Sequence, residues 1–330
     1  MIASVDVGYG YTKAAAQDGR TVVFPSVVRA MTGPEPGFGQ KLDGYRLSVQ
    51  SPAGTVESFA VGELALVLGG QRTWETRAAS RADYATLVLC ALRLLGATGG
   101  VDLAVGLPMR FFLNREEREA LAVRLGGLEG MVAVDDLPSA VVRVERVRVF
   151  PQGAAAYTAA VEGEPALVRQ MVGLVDVGYR TTDYLVMVPK GEGAIPDREL
   201  LGSVQIGVGA AYEAVARALG QDRQVLLRAV DVERAAVTCR PLVVWGEEAS
   251  VGDALATEFA RIGDEVVSHL QRVWEDVLPA MGALLVCGGG GQALYPQLAW
   301  LTPSARVVAA PVTANAAGYA SLMAARVQAG

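Results

Sequence analysis

The chain has 330 residues, more than one ordinary core holds, and 52% of them are hydrophobic, so two domains with sizeable buried cores are expected. No apolar run approaches the roughly 20 residues that span a bilayer, and a net charge of −6 without a basic stripe argues against direct binding to nucleic acid or membrane. The three cysteines, Cys90, Cys239 and Cys287, are far apart and there is one histidine, which argues against a disulfide framework or a metal cage.

The chain enters a strand at once, residues 2–6, with no basic or cleavage-like segment ahead of it, so a cytoplasmic protein is expected. Further strands are predicted at 11–16 and 21–24, the latter ending at Pro25. Residues 29–75 mix glycine, proline and short alternating runs, and read as a small inserted subdomain. The leucine spacing predicts a helix over about 80–96, stopped by Gly96, then a strand at 101–108. Asn114 caps a helix at 115–125, with Glu117 completing a capping box. Strands near 131–135 and 142–149 lead into a loop and helix at PQGAAAYTAAV. The second half repeats the plan: strand, turn and strand over 171–188, a strand at LLGSVQIG, and a helix over 208–219 ending at Gly220. A second insertion covers 222–250. A long helix follows at 251–278, its His269 read as solvated. Strands at 283–287 and 306–310 precede a terminal helix from about 313. The composition and this order of elements indicate an α/β protein, with domains at 1–160 and 161–330.

Two near-copies of one strand–turn–strand segment carry most of the chemical information. They are DVGYGYTK, Asp6 to Lys13, and DVGYRTTDY, Asp176 to Tyr184. A tight glycine turn after a buried strand aims backbone N–H groups at an anion, and the aspartate sets a carboxylate beside it. Gly8, Gly10 and Gly178 allow close approach to phosphate. Asp6 and Asp176 suit a hydrated magnesium ion, which is often held by one or two carboxylates. Lys13 either reaches a phosphate or is a solvated strand end. Thr181 and Thr182 either donate to phosphate oxygens or simply suit strands. Gln152, at the mouth of a helix, either orients a hydrolytic water or is a polar loop residue. Gly288, Gly289, Gly290 and Gly291 either admit a flat base and ribose or form a flexible turn, and Gly207 with Gly209 offers a weaker turn signal. There is no GxxxxGK[ST] loop, so the chain is not a Walker-type NTPase.

In this order the motifs resemble the five of the actin, sugar-kinase and heat-shock-ATPase superfamily: DVGYGYTK, PQGAAAY at 151–157, DVGYRTTDY, CGGGGQAL at 287–294 and TANAAGYASL at 313–322. With FPS at 24–26, GLP at 106–108 and QIGVG at 205–209, the set looks most like the ParM-like actins, the plasmid-segregation actins and their archaeal relatives. That resemblance implies an actin-like, ribonuclease-H-like fold of duplicated domains with a nucleotide cleft between them. It implies phosphate contacts from Gly8, Tyr9, Gly10, Tyr11, Thr12 and Lys13, and from Gly178, Tyr179, Arg180, Thr181 and Thr182. It further implies nucleotide contacts at Gly207 and from Gly288 to Gly291, magnesium and water at Asp6 and Asp176, and water positioning at Gln152. Two departures stand out: Tyr9 replaces the Ser or Thr of many members, and Gln152 stands where ParM often has Glu. The implied function is an ATP- or GTP-hydrolysing filament former in plasmid or DNA segregation, self-assembling and reaching DNA through an adaptor protein. The alternatives are a non-polymerising small-molecule kinase or phosphatase, or a regulatory ATPase, of the same fold.

Overall fold

The computed structural model describes residues 1–32, 43–73 and 77–329. In chain order the first part contains β1 (Ile2–Val7), β2 (Tyr11–Ala16), β3 (Thr21–Pro25), β4 (Val28–Ala30), β5 (Tyr45–Gln50), β6 (Val56–Val61) and α1 (Glu63–Val67). It continues with α2 (Tyr84–Leu94), β7 (Gly99–Leu107), α3 (Met109–Phe112), α4 (Arg115–Leu125), β8 (Glu129–Val134), β9 (Ala140–Pro151) and α5 (Ala154–Gly163). The second part contains β10 (Val172–Val177), β11 (Thr182–Lys190), β12 (Gly193–Pro196), β13 (Gly202–Val204), α6 (Gly209–Asp222) and α7 (Ala229–Thr238). The hairpin β14 (Leu242–Val244) and β15 (Glu247–Ala249) follows, then α8 (Gly252–Trp274), β16 (Ala283–Cys287), α9 (Gly291–Leu298) and β17 (Ala305–Val307). The last helix is α10 (Ala314–Ala329).

Two compact units result, one of Met1–Gly163 with Val312–Gly330 and one of Glu164–Pro311. The sequence reading assigned everything from 161 onward to one domain. In the structure α10 instead returns to the first unit, where its small residues allow close packing on α5: a Cβ on Gly318 would overlap the Ala155 carbonyl.

The same strand plan builds both units. In the first, β2 and β1 form an antiparallel hairpin, β1 runs parallel to β7, and β7 runs parallel to β9. In the second, β11 and β10 form the hairpin, followed by parallel β16 and β17. The outer neighbours also correspond: β3 is antiparallel to β2, and both β12 and β13 are antiparallel to β11. The first sheet then continues through β8 to β5, β6 and β4, so the strands of the 29–75 segment that are described join the main sheet. Residues 33–42 and 74–76 of that segment lie outside the described residues.

Strand alternation assigns the faces of β1. Ala3 and Val5 enter a core shared with Leu87, Val88 and Cys90 of α2. Ser4 points the other way, and its hydroxyl donates to Ala316 of α10 at 2.6 Å. Asp6 shares the parity of Ser4, so it belongs to the face covered by α5 and α10. In the second unit Val175 and Val177 pack with Ile262, Val266, Leu270 and Trp274 of α8.

Several local expectations change. Asn114 caps α4 by accepting from Glu116 N, 2.9 Å away, but no capping box closes. The Asn114 N–H already donates to Phe111, and Glu117 pairs with Arg77 at 3.2 Å. Helix α6 runs through Gly220 to Asp222, because Gly220 N–H stays inside the helix while its carbonyl accepts from Val225. The strand expected at LLGSVQIG shortens to β13, since Ile206 turns its carbonyl to the Thr182 hydroxyl. The long helix ends at Trp274, and the strand expected at 306–310 is β17, ending at Val307. His269 is half-buried against Tyr184, whose hydroxyl lies 3.1 Å from its Nε2, and burial lowers its pKa, with Arg272 adding to the shift.

Candidate functional site

Each hairpin turn closes in the same way. Gly8 N–H donates to Tyr11 O at 3.1 Å, and Gly178 N–H donates to Thr181 O at 2.8 Å. Both glycines are required by space. A Cβ would come within 2.9 Å of Tyr11 O at Gly8 and within 2.8 Å of Thr181 O at Gly178. The turns therefore have the same backbone shape, although only the first two and the fifth of their residues are identical. In the second turn the peptides that carry the Tyr179 and Arg180 N–H groups have their carbonyls held by neighbouring backbone. Gly178 O accepts from Val208 N–H at 3.2 Å and Tyr179 O from Gly209 N–H at 2.7 Å, at the start of α6.

In the first unit Asp6 is 3% exposed. Its Oδ1 accepts from Gln152 Nε2 at 2.9 Å, and its Oδ2 lies 3.4 Å from Lys13 Nζ, its cross-strand partner. An ionised carboxylate only accepts, so the Gln152 amide must turn Nε2 toward it and leave Oε1 for another donor. The Asp6 charge also raises the phenol of buried Tyr84, after the larger effect of burial. Lys13 lies over the turn, with Nζ 3.2 Å from where a Gly8 Cβ would be. Gln152 is set in place by its backbone bond to Leu107 O at 2.9 Å, which extends the β7–β9 ladder, and by Asn315 of α10, whose Oδ1 accepts from Gly153 N–H at 2.9 Å.

The second unit places Asp176 on β10 directly opposite Asp183 on β11, both buried. Thus the position of Lys13 in one hairpin is an aspartate in the other. Thr181 Oγ1 donates to Asp183 Oδ2 at 3.4 Å. The glycine run is not uniform. Gly288 has a left-handed φ of +86°, and a Cβ there would overlap Asp176 Oδ1 and Val177 O, so this residue lies against the second turn. Gly290 N–H donates to Val177 O at 2.9 Å, with Val177 and Val208 occupying the space of its absent side chain. Gly291 begins α9 against Val286, whereas Gly289 is exposed with no atom near its Cβ position. Gly207 packs on the Tyr179–Arg180 peptide, where a Cβ would come within 2.6 Å of the Tyr179 carbonyl oxygen.

Other expected contacts have structural partners. Thr12 Oγ1 is buried against Ser26 Oγ at 2.9 Å, and Ser26 N–H donates to Gly10 O at 2.9 Å. Thr182 donates its hydroxyl proton to Ile206 O at 2.8 Å. Both threonines were expected to grip phosphate. In the structure their hydroxyls tie the turns to neighbouring chain. Tyr11 lies under the Arg72 guanidinium at 5.8 Å, and Tyr179 stacks on Tyr212 at 6.2 Å, while Tyr9 and Arg180 are half-buried within their turns. Arg81 was not anticipated. Its Nη1 donates to Gly8 O at 3.1 Å, and its Nε and Nη2 donate to Asp83 at 3.1 and 3.0 Å.

Two related hairpins on duplicated sheets of this topology define the actin-like fold. Residues 4–154 match the family model for the N-terminal domain of actin-like proteins, and residues 174–299 match that of the C-terminal domain of archaeal MreB-like actin homologues. The chain belongs to the actin-like proteins. It is 25% identical to an archaeal actin homologue of Thermoplasma acidophilum, over 97% of each chain. It is 24% identical to another, of Thermoplasma volcanium, again over 97% of each. Among solved structures it is similar to ParM in a 15-stranded filament from Clostridium botulinum, with a TM-score of 0.86 and 20% identity over 98% of this chain and 99% of that one. An archaeal actin homologue in complex with ADP gives a TM-score of 0.81 and 22% identity over 99% of each chain.

Proposed function

We propose that this chain is a nucleotide-dependent, filament-forming actin-like ATPase, acting in plasmid or other DNA segregation, with hydrolysis as the timer that destabilises the filament. The duplicated glycine turn with an aspartate at its entry carries the reading, because it presents two similar anion cradles with a carboxylate beside each. The ADP bound by the archaeal homologue and the filament formed by the clostridial ParM support it by analogy.

Within the reading, the turns at 8–13 and 178–182 bind phosphates through backbone N–H groups, and Lys13 adds a charge at the first. Gly289 faces the nucleoside. Gln152, its amide fixed by Asp6, orients the attacking water through Oε1, and Asp176 is assigned to hydrolysis on the second turn. The family also implies magnesium. The donors are of the right kind: Asp6 and Asp176 are buried carboxylates, and Asp183 faces Asp176 across its hairpin. That is the sparse protein set of a cation completed by water and phosphate oxygens. Asp6 on the first turn and Asp176 on the second are the residues proposed as ligands, and the ion would neutralise charge on the phosphates.

Calorimetry should detect ATP or GTP binding in the presence of magnesium, and absence of binding by either at millimolar concentration would sink the reading. Gln152→Ala and Asp176→Ala should each slow phosphate release on the order of 10²-fold while retaining nucleotide. Turnover at the parent rate would remove those roles. Because the chain carries a net charge of −6, DNA contact is assigned to an adaptor. No mobility shift of bare duplex is expected at ~0.15 M salt, and a salt-sensitive shift by the purified chain would contradict that assignment.

A further inference from the structure

A backbone N–H can face an anion only if the carbonyl of the same peptide points the opposite way. That carbonyl needs a donor on the protein side, or the peptide is free to flip and present oxygen to the phosphate. In the second unit the Gly178–Tyr179 peptide is held by a helix start: Gly178 O accepts from Val208 N–H. The corresponding peptide of the first unit is Gly8–Tyr9. Its carbonyl accepts from the Arg81 side chain instead.

We infer that Arg81 is a positioning residue that locks the Gly8–Tyr9 peptide with its N–H toward the phosphate; this rests on the nucleotide-binding function proposed above. The guanidinium is suited to the task. It is 3% exposed, and two of its donors are fixed by the Asp83 carboxylate in a fork, which leaves Nη1 aimed at Gly8 O. Asp83 immediately precedes α2, so the clamp is anchored to a helix that packs on β1, the strand that leads into the turn. The two units thus hold equivalent peptides by different means, a helix N-terminus in one and a buried arginine in the other. Arg81 lies 73 positions from Gly8, outside every motif of the superfamily set.

The test measures binding of ATP, ADP and adenosine to the full chain and to Arg81→Met and Arg81→Lys. The expected result for Arg81→Met is a loss on the order of 10- to 100-fold for ATP and ADP, with adenosine unchanged, because the clamp acts on the phosphate turn alone. Arg81→Lys, which keeps a cationic donor, should recover part of the loss. If Arg81→Met does not fold, Asp83→Asn replaces it, loosening the fork without emptying the site, and should show a smaller loss confined to ATP and ADP. Parent-like ATP affinity in the variant used, or an equal loss for adenosine, overturns the role of Arg81. A parent chain that binds none of the three ligands overturns the proposed function itself, and with it this inference.

Discussion

Gly289 and Gly290 are adjacent yet constrained in opposite senses. A methyl on Gly289 meets nothing, whereas one on Gly290 would collide with Val208 and lie 2.7 Å from Val177 Cγ1. Gly290→Ala should therefore cost about 1–3 kcal/mol through overpacking, and Gly289→Ala should leave thermal unfolding within about 0.5 kcal/mol of the parent. If Gly289 faces the nucleoside, Gly289→Ala still weakens nucleotide binding. Calorimetric unfolding and titration of both variants separate these effects, and parent-like binding by a folded Gly289→Ala would exclude the nucleoside contact. A similar split governs which features of the candidate site were legible in the sequence. The two hairpin turns at Asp6–Gly8 and Asp176–Gly178 were legible because strand exit, glycine and aspartate are contiguous. The hydroxyl partners of Thr12 and Thr182, Ser26 and Ile206, were not legible, because they depend on how neighbouring segments fold back. Arg81 and Asn315 act on residues 73 and 162 positions away, and no local pattern marks them.

Helix α4 shows the limit of pattern at the scale of an element. The spacing Asn114–Glu117 is that of a capping box, yet Arg77 draws the Glu117 carboxylate away and the Asn114 N–H finds Phe111. Asn114→Ala should cost about 1 kcal/mol. Glu117→Ala should cost less, about 0.5 kcal/mol, because it loses an ion pair with a largely exposed arginine. Equal costs in urea unfolding would mean that the box does form. Hairpins β1–β2 and β10–β11 were legible for a stronger reason: each opens with a continuous apolar run, as a strand buried on both faces does, and a glycine turn follows at once. Helix ends were less so, as Gly220 shows: the turn that ends α6 closes beyond it, at Gln224 with its positive φ, and Val225 N–H reaches back to Gly220 O. The half-burial of His269 depended on Tyr184 reaching it from β11, which helix periodicity cannot reveal.

At the scale of the molecule, the duplication was visible in sequence and reappears as two sheets with the same strand plan. The return of α10 to the first unit was not visible, since nothing at 313–322 marks which sheet the helix will cover. Its placement has a physical basis in Gly318, Ser4 and Asn315, which permit close approach to α5 and bond it to β1 and the Gln152 turn. Among the described residues no helix is long and apolar enough to cross a membrane. The central claim, that this actin-like chain assembles under control of a nucleotide, is tested most directly by sedimentation with electron microscopy of the pellet, with and without ATP or GTP and magnesium. The account predicts filaments that sediment with nucleotide, stay dispersed without it, and persist longer in Gln152→Ala. A chain that binds nucleotide but forms no filaments at any protein or nucleotide concentration tried would contradict it and favour a non-polymerising enzyme of the same fold.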